Sequence, residues 1–193
     1  MDYHSILQIA GGALALLLFI PLIRVIIKDG AQGQSCATWF LWGLLDTIIA
    51  LSVIEQRGNF YLPLGFAMGD IAIVILLLAK RKFRWSWFET IILLMVIGCI
   101  AGWKLSGPKM ATVSATMGIC VAGIPGLIEM VKHPQRKIGN IWAWYVLANM
   151  LGFFGGRGMT IQERFAPGIF AVCALMMFAA SRVRKPLEAP RGD

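Results

Sequence analysis

"FIPLIRVIIKDGAQGQSCATWFLW" occupies positions 19–42, and a related stretch, "GIPGLIEMVKHPQRKIGNIWAWY", occupies positions 123–145. The prolines of the two stretches, Pro21 and Pro125, are 104 positions apart. In both stretches an apolar segment with a proline leads through a lysine and a polar connection into an aromatic segment. This recurrence predicts that the chain contains two related units.

The composition indicates an integral membrane protein. Hydrophobic residues make up 58% of the chain and charged residues only 15%, whereas soluble domains are about 45–50% apolar even with glycine counted. A helix needs roughly 20 apolar residues to cross a bilayer. Runs of that kind predict seven spans joined by short connections, at 6–27, 36–54, 60–79, 88–103, 110–131, 138–154 and 165–180.

The second span of each unit carries the same side chains on one helical face. When one residue is deleted from the second connection, an aromatic, a second aromatic and a polar residue recur at i, i+3 and i+7, a helical spacing. The aligned pairs are Trp39 with Trp142, Trp42 with Tyr145, and Asp46 with Asn149.

The odd span at 88–103 sets the geometry of the repeat, because three crossings reverse the chain and a fourth restores its direction. The predicted fold is therefore all-α and membrane-integral, with two parallel three-helix bundles joined by a linker helix (3+1+3). The predicted organisation is a first bundle at 5–80, the linker helix at 85–104, a second bundle at 110–182 and a cytoplasmic basic tail at 183–193.

Charge predicts the orientation, because basic residues are retained on the cytoplasmic side. Every second connection and the C-terminal tail hold most of the basic residues: Arg24, Lys28, Lys80, Arg81, Lys82, Arg84, Lys132, Arg136, Lys137, Arg182, Arg184, Lys185 and Arg191. The other connections hold Arg57, Lys104, Lys109, Arg157 and Arg164. This pattern predicts an outside N-terminus and a cytoplasmic C-terminus. The compact length and the absence of organelle signals favour a cell (inner) membrane. The net charge of +8 is assigned to topology and anionic lipid, and no nucleic-acid partner is expected.

With a 3+1+3 arrangement, an outside N-terminus and the pattern F-I-P-x-I-R-x-I-I-K…G-x-S…W-x-x-W from position 19, the chain resembles the SWEET and PQ-loop superfamily. The glutamine that gives the PQ motif its name is absent, since Leu22 follows Pro21 and Gly126 follows Pro125. The resemblance implies two three-helix bundles around a central pocket that opens alternately to either side. It also implies that Pro21 and Pro125 act as hinges near the cytoplasmic gate.

Two acidic residues, Asp46 and Asp70, fall midway along predicted spans. An ionised carboxylate there costs roughly 2.5–3.5 kcal/mol, so each must face protein or water, pair with a cation, or carry a proton. We interpret both as substrate-binding or proton-coupling residues, with Asn149 opposite Asp46 across the seam. The alternative for both aspartates is a structural hydrogen bond between helices.

The aromatic residues Trp42 and Tyr145 share this face and could stack on a sugar ring, a nucleobase or an organic cation. For Trp39 and Trp142 the alternative is anchoring at the membrane interface, where tryptophan accumulates.

Arg24 and Glu129 follow the two prolines at nearly equivalent positions. We interpret them as a gate, an ion pair that closes across the two halves on the cytoplasmic side. The alternative for Arg24 is snorkelling to the lipid headgroups.

These observations favour a transporter of a small polar solute, sugar-like or another small metabolite, working by alternating access. Proton coupling through the intramembrane aspartates is one version of it. The alternative is a non-transporting membrane receptor or assembly subunit built on the same scaffold, since fold alone does not define function. The expected partners are the solute and membrane lipids, with a homo-oligomer left open.

No catalytic set, metal site or cofactor is expected from the sequence. The two histidines are at opposite faces, and the four cysteines, Cys36, Cys99, Cys120 and Cys173, lie in apolar segments without CxxC spacing. The cysteines are therefore interpreted as small apolar residues rather than a disulfide framework.

Overall fold

The computed structural model of the protein describes residues 1–28, 35–81, 83, 85–134 and 136–183, and within these residues all regular secondary structure is helical. A π-helical turn, Ile161–Phe165, leads directly into the last helix. The other helices are α1 (Tyr3–Leu17), α2 (Phe19–Lys28), α3 (Cys36–Glu55), α4 (Tyr61–Ala79), α5 (Trp87–Ser106), α6 (Pro108–Lys132), α7 (Arg136–Gly155) and α8 (Ala166–Ala180).

Six helical segments in the described part of the chain are long and apolar enough to cross a membrane: Tyr3–Lys28, Cys36–Glu55, Tyr61–Ala79, Trp87–Ser106, Pro108–Lys132 and Ile161–Ala180. The seventh, α7, has 20 residues, about 30 Å of helix, but it is less apolar than the others. The reason is its composition, since it begins with Arg136 and Lys137 and carries Asn140 and Asn149. The predicted class, a helical integral membrane protein, is confirmed at this level. The predicted 183–193 tail lies outside the described residues except for Val183.

The first span is broken at Leu18, between α1 and α2. Pro21 has no N–H to donate to the carbonyl of Leu17, and its ring clashes with that carbonyl. A break one residue after Leu17 follows from both effects. Pro125, in contrast, lies inside α6 without interrupting it.

Six helices form the main bundle of the molecule, and each packs mainly against two of the others. α1 packs against α4 and α7, α3 packs against α4 and α6, and α8 packs against α6 and α7. Because every one of these helices has two neighbours in the set, the six form a closed ring. α5 lies outside the ring and packs against α6 and α3.

A buried carboxylate fixes the start of α5. Ser86 and Glu89 form a capping box, in which each side chain binds the other residue's backbone or side chain. Glu89 also accepts hydrogen bonds from the hydroxyls of Thr38 (2.8 Å) and Ser35 (3.3 Å) at the start of α3. The acid is 7% exposed, and its several donors offset the cost of burying it.

Candidate functional site

Asp46 and Asp70 lie side by side in the middle of the helix ring. Asp46 is near the middle of α3 and Asp70 near the middle of α4. Their carboxyl groups are close enough to share a hydrogen bond, and their exposed fractions are 5% and 3%. The two acids that the sequence singled out therefore form one pair on adjacent helices.

This hydrogen bond has a chemical requirement. An ionised carboxylate has only acceptor oxygens, so a bond between two carboxyl groups needs a proton on at least one of them. Two ionised carboxylates in contact would also repel each other strongly in a buried site. Two buried carboxyl groups in this position can therefore hold a proton between two helices.

Two glycines let the helices come together at this point. A Cβ at Gly43 of α3 would lie 3.3 Å from the Cβ of Asp70, so the absence of a side chain there brings α4 close to α3. A Cβ at Gly69 would lie 2.1 Å from a ring carbon of Phe19, which fills that space. Both faces of α4 next to Asp70 are thus closely packed.

Four of the predicted site residues have a buried polar atom without a hydrogen-bond partner: Asp46 Oδ1, Asp70 Oδ2, Asn149 Oδ1 and Trp42 Nε1. Such atoms also occur at His4, Gln56, Asn59 and Arg164. Buried polar groups are nearly always paired in folded proteins, and each exception needs an explanation. Four of the five residues predicted to bind substrate or proton contribute such atoms. The atoms at the predicted site residues are three acceptor oxygens and one donor.

Asn149 and Tyr145 occupy successive turns of α7. The amide nitrogen of Asn149 donates to the backbone carbonyl of Tyr145 at 2.7 Å, and Asn149 is 1% exposed. Tyr145 is within electrostatic range of both Asp70 and Asp46. Among the described contacts Asn149 makes none with Asp46, so it is Tyr145 that brings α7 up to the acid pair.

An aromatic cluster lies on one side of the pair, toward the ends where α3 and α7 begin. Its members are Phe19, Trp39, Trp42, Trp142 and Tyr145. Ring centroids are 5.0 Å apart for Trp39 and Trp42, and 5.4 Å apart for Trp142 and Tyr145. Phe19 joins the two, at 6.3 Å from Trp39 and 6.0 Å from Tyr145. These rings, from α2, α3 and α7, close that side of the ring of helices.

A polar cluster, here named the Glu163 cluster (Gln8, Gly155, Arg157 and Glu163), lies toward the opposite end. Gln8 Nε2 of α1 donates to the carbonyl of Gly155 at 2.9 Å and to Glu163 Oε2 at 3.2 Å. The backbone N–H of Arg157 donates to the same carboxylate oxygen at 3.1 Å. Gln8 and Glu163 are 6% and 9% exposed. Hydrogen bonds therefore join the start of α1 to the segment between α7 and α8.

The connection between α3 and α4 is joined to the same segment. Asn59 is buried, and its side-chain nitrogen donates to the carbonyl of Gly152 at 2.9 Å. Its backbone N–H donates to the carbonyl of Gln162 at 3.1 Å. At the surface, Arg157 Nη2 lies 3.0 Å from Asp2 Oδ2 and 2.9 Å from the hydroxyl of Ser5.

The predicted gate residues are not joined in this conformation. Arg24 and Glu129 are both exposed, and among the described residues the ion pair of Glu129 is with His133 on its own helix, at 3.9 Å. The ion pair of Arg24 with Glu129 stays a prediction for another state of the molecule.

Sequence reasoning missed eight of the buried polar residues, four of which have amide or carboxyl side chains: Gln8, Asn59, Glu89 and Glu163. Of these four, only Glu89 had a local signal, the S-x-x-E capping box that opens α5. Gln8 stands among apolar residues in the first span, which could have marked it as a residue in need of a partner. Asn59 binds Gly152 and Gln162, and Glu163 binds Gln8, all in distant segments to which no local pattern points.

The acid pair is closed off from solvent on both sides, as the exposed fractions above require. A shallow surface depression has no room for a water-sized occupant, and its lining residues are Thr38, Leu41, Trp42, Phe88, Glu89, Ile92 and Ala122. It lies between α3, α5 and α6 rather than at the acid pair. Asp46 and Asp70 are therefore both buried away from solvent in this structure.

No family model matches this chain, and no curated protein or solved structure matches it. Within the described residues, no group of three or more His, Cys, Asp and Glu side chains is placed to hold a metal ion. The predicted site residues contribute a carboxyl pair, an amide oxygen and an indole N–H, all of them buried. These groups can exchange a proton and accept hydrogen bonds from hydroxyl, amine or amide groups.

Proposed function

We propose that the protein is a carrier of a small polar solute that works by alternating access, with the Asp46–Asp70 pair as its solute or proton site. The observation that supports this most directly is the buried pair with an unpaired oxygen on each acid. Charged groups inside a membrane are costly and mark ion, proton or substrate pathways. A purely structural pair would be expected to satisfy its remaining oxygens.

The packing of the helices supports two parallel three-helix units. A shift of about 104 positions carries α1 to α6, α3 to α7 and α4 to α8. Under that shift the pairs α1 with α4, α3 with α4 and α1 with α7 become α6 with α8, α7 with α8 and α6 with α3. All six pairs are in contact. We therefore propose the 3+1+3 arrangement, with α5 as the linker, and membership of the SWEET and PQ-loop superfamily.

The two units differ where the chemistry lies. Asp46 corresponds to Asn149, but Asp70 corresponds to Ala174, which is buried and apolar. The acid pair therefore belongs to one unit, while the other contributes Asn149 and Tyr145. A site of this kind can couple a proton held on one unit to a solute held between both.

The proposed transport cycle depends on two groups of residues that close the protein on either side of the acid pair. The Glu163 cluster closes the end where α1 begins, which is the outside face in the proposed orientation. The aromatic cluster closes the cytoplasmic side. Opening one closure at a time would expose the acid pair to one solution, and Pro21, next to the break at Leu18, is the proposed hinge.

Uptake into proteoliposomes tests this function. A panel of labelled sugars, amino acids and vitamins is offered with and without an inward proton gradient. We expect at least one solute to accumulate in a gradient-dependent way, and Asp70→Asn to abolish that dependence. Glu55→Gln is the matched control, because Glu55 is an acid on α3 whose carboxylate accepts from Trp103 at the helix end.

A second candidate is a non-transporting receptor or assembly subunit. The closed seam favours it, since the acid pair is not open to either side in this conformation. If the whole panel fails to enter under any gradient while the protein is folded, the receptor is the better proposal. If a solute enters and Asp70→Asn changes nothing, the coupling role of the pair is wrong.

A further inference from the structure

Two cysteines from distant parts of the sequence meet inside the membrane. The Sγ atoms of Cys120 on α6 and Cys173 on α8 are 3.4 Å apart. A disulfide needs the two sulfurs at about 2.05 Å, so they would have to approach by about 1.4 Å. Both side chains are on adjoining faces of two helices that pack against each other.

The other two thiols are in a different setting. Cys36 and Cys99 are buried, with exposed fractions of 1% and 2%, and Cys36 Sγ faces the backbone carbonyl of Val74 at 3.8 Å. All four cysteines are free thiols. The chain thus contains one close thiol pair and two separate buried thiols that serve as internal controls.

The close pair is open to the lipid side of the bundle. Cys120 and Cys173 are half-buried, while neighbours on the same helices, Met117 and Val172, are exposed at 47% and 56%. Cys120 is the central residue of α6, which spans Pro108–Lys132. An uncharged oxidant dissolved in the bilayer can therefore reach the pair at mid-depth.

We propose that Cys120 and Cys173 form a redox-active dithiol that closes to a disulfide and fastens α6 to α8. With hydrogen peroxide as the oxidant, one thiol is first oxidised to a sulfenic acid and releases a water molecule. The second sulfur then attacks the sulfenic sulfur, the S–S bond forms, and a second water leaves. The two thiols lose two electrons and two hydrogens, and the peroxide gains them. This inference does not depend on the proposed carrier function.

The test uses the purified full chain in detergent, treated with hydrogen peroxide and analysed by intact mass and by thiol titration under denaturing conditions. We expect the mass to fall by two hydrogen atoms and the number of free thiols to fall from four to two. A reducing agent should restore all four thiols. Peptide mapping should join the segment with Cys120 to the segment with Cys173 of the same chain, and the oxidised chain should melt at a higher temperature than the reduced chain.

Matched variants separate the pair from the other cysteines. Cys120→Ser and Cys173→Ser should each abolish the cross-link, while the double variant with Cys36→Ser and Cys99→Ser should form it as the native chain does. If a variant does not fold, the oxidation of the unaltered chain still tests the proposal by itself. Four free thiols after oxidation, a link to Cys36 or Cys99, a link between two chains, or oxygen added to the sulfurs without a link would each overturn the proposal.

Discussion

Asp46 on α3 and Asp70 on α4 lie close enough for their carboxyl groups to share a hydrogen bond, and each has one buried oxygen without a partner. The pair needs at least one proton, so its two acids carry at most one negative charge between them. This relationship explains how one membrane protein accommodates two acids in adjacent mid-membrane positions. It also means that the pair has a proton to exchange.

Replacing one member of the pair should distinguish its chemistry from its shape. In Asp70→Asn the amide N–H₂ can donate to Asp46, so we expect stability close to that of the native chain. In Asp70→Leu, Asp46 keeps no partner, and we expect a loss of about 1–3 kcal/mol, the usual cost of an unsatisfied buried polar group. Chemical unfolding in detergent measures both. Equal stability of the two variants would show that the hydrogen bond contributes nothing.

The packing of Phe19 against Gly69 should make that glycine intolerant of a side chain. A methyl group at position 69 would lie 2.1 Å from the Phe19 ring, and overpacking of this kind costs about 1–3 kcal/mol. Gly98→Ala on α5 is the control, since nothing lies within 4 Å of a Cβ there, and it should be neutral or stabilising by up to about 1 kcal/mol. Thermal melting of the two variants is the measurement. If the Gly69→Ala protein melted at the same temperature as the Gly98→Ala protein, α2 would not pack against α4 at Gly69.

The Glu163 cluster should hold α1 to the segment before α8. Gln8→Leu removes the donor to both the Gly155 carbonyl and the Glu163 carboxylate, so we expect faster amide hydrogen exchange in residues 155–163. Glu163→Gln keeps an acceptor for Gln8 and should change exchange much less. Unchanged exchange in Gln8→Leu would contradict the role assigned to this cluster.

The surface contact of Asp2 gives a pH dependence that can be followed directly. Hydrogen bonds from Ser5, together with the Arg157 guanidinium, lower the pKa of Asp2 from 3.8 to about 2. Since the pKa is lowered on folding, the stabilising contact is fully present above pH 3.8 and is lost as the pH falls through about 2. Carbon NMR of the Asp2 carboxyl should give a midpoint near 2. Ser5→Ala should raise that midpoint more than Arg157→Gln does, and a native midpoint near 3.8 would contradict the contact.

Hydropathy predicted the spans well because it is a local property. All seven predicted spans correspond to helices, with boundaries that agree within three residues when the last is compared with α8. Contacts between spans join residues that are distant in the sequence, and fewer of these contacts were predicted. The repeat placed Asn149 opposite Asp46, because symmetry identifies residues at corresponding positions. It does not identify residues in contact, and the acid next to Asp46 is Asp70.

The cysteines illustrate the same limit. Cys120 and Cys173 are far apart in the chain, and only the packing of α6 on α8 brings their sulfurs to 3.4 Å. The break at Leu18, in contrast, has a local cause in Pro21, which acts on the carbonyl four residues before it, although Pro125 leaves α6 unbroken. Effects that act within one helical turn were predictable, and those that join distant helices were not.

The proposal that Asp46 and Asp70 share a proton is tested most directly by infrared spectroscopy of the reconstituted protein at neutral pH, which does not require the solute to be known. We predict a carbonyl stretch of a protonated carboxylic acid that is lost or shifted in both Asp46→Asn and Asp70→Asn and unchanged in Glu55→Gln. Transfer to heavy water should shift the same band, since a proton that takes part in transport must exchange. A spectrum in which neither aspartate variant alters any protonated carboxyl band would contradict the account.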